Sequence, residues 1–251
     1  MKICRFKRSG GAAQIGELRG DSVVSLDESL KPSGETYQYA DVQLLPPVTP
    51  SKIVCVGRNY SEHARELGND VPSQPLLFLK APSSVIGDGD AIVIPLQSAQ
   101  VEHEAELAVV VGRTCKDLMD SDDPLEYVLG YTCLNDVTAR DLQRADVQFT
   151  RAKSFDTFCP VGPHIETELD PSDLQITCRV NAEVRQHGRT SQMVFPVPFL
   201  IRYISRQMTL NAGDVIATGT PSGVSVLLAG DTCEIEIDGI GILSNRIMSP
   251  A

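Results

Sequence analysis

Positive charge is scarce in this sequence. Its 251 residues hold 22 lysines and arginines against 33 aspartates and glutamates, a formal net charge of −11. Nucleic acid and anionic membrane surfaces are read through clustered Lys and Arg, so neither is an expected partner. Any anionic small molecule would have to be drawn by a local metal or by a few placed cations. No apolar stretch approaches the ~18 residues of a membrane span, and no apolar run of the secretory kind follows the basic start at residues 1–8. Paired cysteines are missing too. The seven present are an odd number, widely spaced, and never form Cys-x-x-Cys. Lying mostly in apolar runs, they behave as small hydrophobes, which points to a reducing compartment and a cytoplasmic location. The four histidines, at 63, 103, 164 and 187, show no zinc spacing, and there is no Gly-x-Ser-x-Gly elbow. Gly219-Thr220-Pro221-Ser222-Gly223 has neither the Lys-Ser/Thr ending of a phosphate loop nor the spacing of a dinucleotide fingerprint.

What is plentiful is carboxylate, and it gathers at one place. Residues 101–112 end in an uninterrupted apolar run suited to a buried strand, but begin with Glu102, Glu104 and Glu106 at alternate positions. Side chains alternate along a strand, so the three would share a face. Negative charges at the mouth of a core strand repel and are poorly solvated unless a cation sits among them. A divalent ion meets that need. Asp136 stands where another apolar run, residues 127–134, gives way to a helix start, and strand ends are where a sheet presents side chains to a cleft. A solvated surface face is the competing account of Glu-x-Glu; the unbroken run from Leu107 to Val111 argues for the interior.

Residues 1–44 read as a small β unit, with strands near 2–6, 12–18 and 22–26 and a turn at Arg19-Gly20-Asp21. Three prolines within 45–50 form a stiff connector to a second unit, 51–251. There a strand over 52–57 leads into a short helix, with Asn59 and Glu62 fitting a capping box and Gly68 its stop. His63 and Glu66, spaced i and i+3, share a face of it. Strands are expected over 76–80 and 91–94. A helix is expected after Asp136 with Thr138 as N-cap, Asp141 as its partner, and Arg140 and Gln143 on one face. Lys153 lies between small and apolar neighbours, as a surface lysine with its stem on Phe155 or as a buried one. Further on come strands over 175–180 and 182–185, and an amphipathic helix over 196–207 with Phe199, Leu200, Tyr203 and Ile204 inward. Gly-Asp corners at 89–90, 213–214 and 230–231 separate short strands, which indicates a bent, mainly β core of the α+β class rather than a βαβ alternation.

Five blocks occur in order: Gly57-Arg58-Asn59-Tyr60 with His63 and Glu66; Glu104-x-Glu106-Leu107; Asn135-Asp136-x-Thr138-Ala139-Arg140-Asp141; Ala152-Lys153-Ser154-Phe155; and Thr218-Gly219-Thr220-Pro221-x-Gly223-Val224. Spread over residues 51–245, they resemble the fumarylacetoacetate hydrolase family. The likeness is to its short branch of acylpyruvate hydrolases, oxaloacetate decarboxylases and 2-hydroxyhepta-2,4-diene-1,7-dioate isomerases. The resemblance implies a mixed β-roll core, a homodimer, and Mg²⁺ or Mn²⁺ held by Glu104, Glu106 and Asp136, with Glu102 beside the site or exposed. An all-carboxylate donor set independently suits such hard cations. The resemblance further implies His63 and Glu66 as a dyad that activates water, and Lys153 at the substrate's oxyanion. Arg140, Gln143 and Thr220 would position the carboxylate and carbonyl groups of a small 2-oxo acid. The expected activity is metal-dependent C–C cleavage of a 2,4-dioxo or β-keto acid, that of an acylpyruvate hydrolase with oxaloacetate decarboxylase activity alongside. The alternative is isomerase or decarboxylase action on a 2-hydroxyhepta-2,4-diene-1,7-dioate-type intermediate of aromatic catabolism.

Overall fold

Short apolar runs punctuated by Gly, Pro and Asp do not build long helices. The computed structural model, which describes residues 1–250, turns most of them into strands. A 12-stranded sheet is the frame. Its main path runs Pro32–Gln38, Ser22–Leu26, Gln14–Arg19, Lys2–Lys7, Cys159–Glu166, Val128–Asn135, Ala105–Val111, Val215–Ala217, Ile53–Gly57, Leu76–Lys80. A 5-stranded sheet of Glu183–Arg189, Gln175–Val180, Thr232–Ile237, Gly241–Met248 and Ala91–Val93 shares the larger core with it. The fold is α+β and mainly β. Among the described residues no helix is long and apolar enough to cross a membrane.

Ala105–Val111 is the hub of the frame, and all seven of its residues are buried. Leu107, Val109 and Val111 pack with Ile176, Ile235 and Leu200, while Ala108 and Val110 pack on the other face with Ile53, Val161 and Val215. Burial on both faces is why the run shows no polar alternation. Each such Val or Leu contributes ~1.5–3 kcal/mol, and a one-residue slip would swap the two faces wholesale. The position of Glu106 is therefore fixed by its apolar neighbours.

The N-terminal strands are not separate from this frame. Lys2–Lys7 pairs antiparallel with Cys159–Glu166 and extends the same sheet. Pro32–Gln38 and Gln43–Leu45 are strands that the sequence reading left out. The first is exposed at six of its seven positions, so it carries no apolar signal, as befits a sheet edge with a proline at its start. The amphipathic helix forms over Val197–Ser205 with Leu200, Ile201 and Ile204 buried. Phe199 departs from expectation: it is 43% exposed and stacks between the rings of Phe195 and Tyr203.

Candidate active site

Antiparallel pairing sets the beginning of one strand beside the end of its neighbour. Ala105–Val111 and Val128–Asn135 pair with Ala105 opposite Asn135 and Glu106 opposite Leu134, which brings Glu104 and Glu106 to Asp136. The Asp136 N–H donates to the Glu104 carbonyl at 2.9 Å, and the Glu104 N–H donates to Asn135 Oδ1 at 3.0 Å. One oxygen from each of the three buried carboxylates lies within 4.8 Å of the others.

The three alternating glutamates do not sit on one continuous strand. Val101–Glu102 pairs with Thr138–Ala139 in a separate ribbon. The chain bends at 103–105 because the N–H groups there go to Ser225 O, Asn135 Oδ1 and Gln186 Oε1 instead of a ladder. Glu102 is nevertheless buried and accepts from Arg140 Nε at 2.7 Å. Arg140 reaches Glu104 at 2.5 Å with its second arm and Gln143 Oε1 at 2.5 Å with its third.

Lys153 ends the short helix Thr150–Lys153 and is buried, so the surface reading falls. Its Nζ lies 2.7 Å from both Glu104 and Asp136. Lys80 Nζ lies 2.7 Å from the other oxygen of Asp136. Four buried carboxylates (Glu102, Glu104, Glu106, Asp136) against three buried cations (Lys80, Arg140, Lys153) leave one formal negative charge. It falls on Glu106, whose hydrogen-bond donor is the Gly219 N–H at 2.7 Å. Burial, reinforced by Asp136 and Glu104, pushes the Glu106 carboxyl well above the usual carboxylate range. Burial acts the same way on Glu104, but Lys153 and Arg140 overcome it and hold that carboxyl well below the range. Burial likewise opposes the charge on Lys153; Asp136 and Glu104 more than restore it. Three converging carboxylates with one charge unmet fit a hard divalent cation.

The capping box proposed for Asn59 does not form. The helix spans Ser61–Glu66 with Tyr60 at its N-cap, and the buried Asn59 amide instead joins distant segments. Its Nδ2 donates to Thr218 O at 2.8 Å and Phe195 O at 3.0 Å, and its Oδ1 accepts from the Phe195 N–H at 2.8 Å. These bonds pin the turn in which Arg58 takes a φ of 58°, a left-handed conformation costing ~1–2 kcal/mol for a residue with a Cβ. Thr138 is likewise no cap. It lies in the ribbon and donates to Asp136 O at 2.8 Å, and the helix Arg140–Ala145 follows.

His63 Nδ1 lies 3.1 Å from Glu66 Oε2. The other Glu66 oxygen accepts from the Gly223 N–H at 3.0 Å. With the proton on Nδ1, Nε2 is left as a base. A cavity of about 270 Å³ is lined by His63, Glu104, Glu106, Asp136, Arg140, Gln143, Lys153 and Thr220, so eight of the nine residues singled out from the sequence share its wall. The ninth, Glu66, stands behind His63. Thr220 is more committed than foreseen: its hydroxyl donates to Ala105 O at 2.8 Å and accepts from Gln186 Nε2 at 2.7 Å.

Two residues at the site escaped the sequence reading. Lys80 closes the apolar run Leu76–Lys80, and a charge ending such a run was the available signal. Gln186, which ties Ala105 to Thr220 and Pro221, sits in a strand of mostly exposed polar residues that gave none.

Residues 52–248 match the family model described as fumarylacetoacetate (FAA) hydrolase C-terminal, and residues 1–47 match Rv2993c-like, N-terminal. Oxaloacetate tautomerase YisK of Bacillus subtilis is 45% identical over 226 residues, covering 84% of this chain and 75% of that protein. The mitochondrial oxaloacetate tautomerase FAHD2A of Homo sapiens is 44% identical over 222 residues, covering 83% and 70%. A crystal structure of 5-carboxymethyl-2-hydroxymuconate delta-isomerase from Mycobacterium smegmatis has a TM-score of 0.92 at 40% identity, over 100% of both chains. With the family model spanning most of the chain and relatives this close, the protein belongs to the fumarylacetoacetate hydrolase family and is an enzyme of that family.

Proposed function

We propose that the protein catalyses proton transfer in a small 2-oxo acid, interconverting its keto and enol forms, with Mg²⁺ or Mn²⁺ held by Glu104, Glu106 and Asp136. The observation that carries this is the placement of a base, His63, on the wall of the same cavity as the carboxylate cluster and Lys153. Enolisation needs those two things together: a base at the carbon next to the keto group and positive charge at the keto oxygen. Glu104, Glu106 and Asp136 would hold a divalent cation, which would supply positive charge to the bound 2-oxo acid and acidify its adjacent C–H.

The protein's own groups then have defined tasks. His63 Nε2 takes the proton from the carbon, and Glu66, fixed by the Gly223 N–H, stabilises the positive imidazole that results. Lys153, kept charged by its two carboxylates, faces the oxygen on which negative charge develops. Returning the proton to that oxygen completes the isomerisation with no water consumed. Relatives named as oxaloacetate tautomerases at 45% and 44% identity support this order of preference, as does the isomerase of the same fold. Hydrolytic C–C cleavage, the first expectation from the sequence, remains the second reading, because a dyad able to deprotonate carbon can also activate water. The homodimer of the family accompanies either reading.

The test is an assay of three reactions with and without metal: ketonisation of enol-oxaloacetate, its decarboxylation, and cleavage of acetylpyruvate. Metal-dependent ketonisation faster than the other two is expected. Cleavage or CO₂ loss outpacing ketonisation would overturn the proposal in favour of a hydrolase or decarboxylase.

A further inference from the structure

We infer that Arg58 binds a second carboxylate at the far end of the substrate, so that the site prefers dianionic 2-oxo acids to those with a neutral tail. The inference rests on the proposed function only for the metal-chelating end of the substrate.

Four arginine or lysine residues line the cavity: Arg58, Arg140, Arg144 and Lys153. Arg140 and Lys153 are each held by two carboxylates. Arg144 is exposed and leans on Gln100 at 3.4 Å. Arg58 is only partly exposed, yet among the described residues its guanidinium has neither a hydrogen bond nor an ion pair. A fork-shaped cation, half removed from water and without a partner, is built for a carboxylate that arrives from outside.

The charge balance points the same way. The buried groups carry one net negative charge; a divalent cation makes that one positive, and the carboxylate of a 2-oxo acid brings it to zero. A neutral-tailed substrate is matched without Arg58, whose charge would then be unmet. A second carboxylate is what matches it.

The backbone shows that this arginine is held in place at a cost. Its φ of 58° suits Gly or Asn, and the turn is kept there by the three bonds of the Asn59 amide. Residues held in such conformations cluster where they serve a site.

Calorimetric binding to the Mg²⁺-loaded protein tests this without turnover. The ligands are oxalate, which offers the chelating end alone, and L-malate and its 4-amide, which differ only in the distal charge. Wild type is expected to prefer malate to the amide by tenfold or more. Arg58→Gln and Arg58→Asn should erase that preference while oxalate affinity shifts less than threefold; Asn tolerates the left-handed turn, so its melting temperature should stay near wild type. A malate preference intact in a well-folded Arg58→Asn overturns the inference. So does an oxalate loss as large as the malate loss, which would place Arg58 at the chelating end. Arg58-dependent malate binding in a protein that fails to ketonise oxaloacetate would defeat the proposed reaction alone; ketonisation alongside an intact preference in Arg58→Asn would defeat this inference alone.

Discussion

Replacing Glu106 by Gln should raise stability in the absence of metal and shrink the stability that metal adds. In the metal-free protein Glu106 is the buried carboxylate that no cation meets, with Asp136 and Glu104 beside it. Glutamine keeps the shape and an oxygen for the Gly219 N–H, and removes the charge. An uncompensated buried charge costs several kcal/mol, part of which the protein escapes by protonating it, so the variant should gain roughly 1–3 kcal/mol. A chain of 251 residues unfolds with about 0.5 kcal/mol per degree, so its Tm should rise by about 2–6 °C. Metal narrows this gap, and reverses the order where the metal-free gain is below about 2.3 kcal/mol. At a hundredfold excess over its dissociation constant a ligand of the folded state contributes about 2.7 kcal/mol, or about 5 °C; if losing one charged donor weakens binding about a hundredfold, the same concentration adds only about 0.4 kcal/mol to the variant.

The pH dependence has a definite sign. Because the Glu106 carboxyl titrates above its ordinary value of 4.5 when folded, its proton is bound more tightly in the folded state. The resulting stability is complete below about pH 4.5 and is lost as pH rises through the folded value. The metal-free gap between variant and wild type should therefore open with rising pH. Thermal melts of chelator-treated protein, with Mg²⁺ or Mn²⁺ titrated back, check all of this. A metal-free Glu106→Gln that melts below wild type, or equal metal shifts in both proteins, would refute the account of the cluster.

His63→Ala should lower the ketonisation rate by about 10²- to 10⁴-fold, with oxalate affinity measured by calorimetry moving less than about 1 kcal/mol, roughly fivefold; an oxalate loss matching that of Glu106→Gln would make the dyad part of the binding shell. Lys153→Met strips the shared cation from Glu104 and Asp136 and should cost about 3–5 kcal/mol in metal-free urea unfolding, much of it recovered on adding metal. Gly223 has a φ of 101°, and a Cβ there would lie 2.1 Å from Arg185 O. Gly223→Ala should thus displace the N–H that holds Glu66 and lower kcat as His63→Ala does, with metal-induced stabilisation retained.

The residues legible from sequence are those whose neighbours in the chain report on them. Glu104 and Glu106 stood out because the apolar run behind them has to be interior; His63 and Glu66 share a helix face at i and i+3, a spacing that alone suits a solvated face, and it was the family resemblance that marked them as a dyad. Asn59 and Thr138 misled by the same local logic. Each looked like a helix cap: Thr138 instead entered the ribbon opposite Glu102, and Asn59 found the carbonyls of Phe195 and Thr218, 136 and 159 residues away. A buried amide offered two such acceptors and a donor gains more from them than from one N–H at a solvated helix end.

The segment 218–223 shows the limit most clearly. Thr218 and Thr220 donate to the carbonyls of Leu107 and Ala105, Gly219 donates to Glu106, and Gly223 donates to Glu66. One loop thus bonds along the carboxylate strand and joins it to the dyad. In the sequence these six residues mark a block of the family resemblance, with Thr220 a substrate-positioning candidate, but their own turn chemistry does not say which strand and which helix the turn holds. The two glycines explain why the loop can do so: Gly219, at a φ of 97°, passes Asn59 so closely that a Cβ would lie 2.8 Å from the Asn59 Cβ. Close approach of backbone to backbone is what lets N–H groups reach both carboxylates, and only residues without side chains permit it.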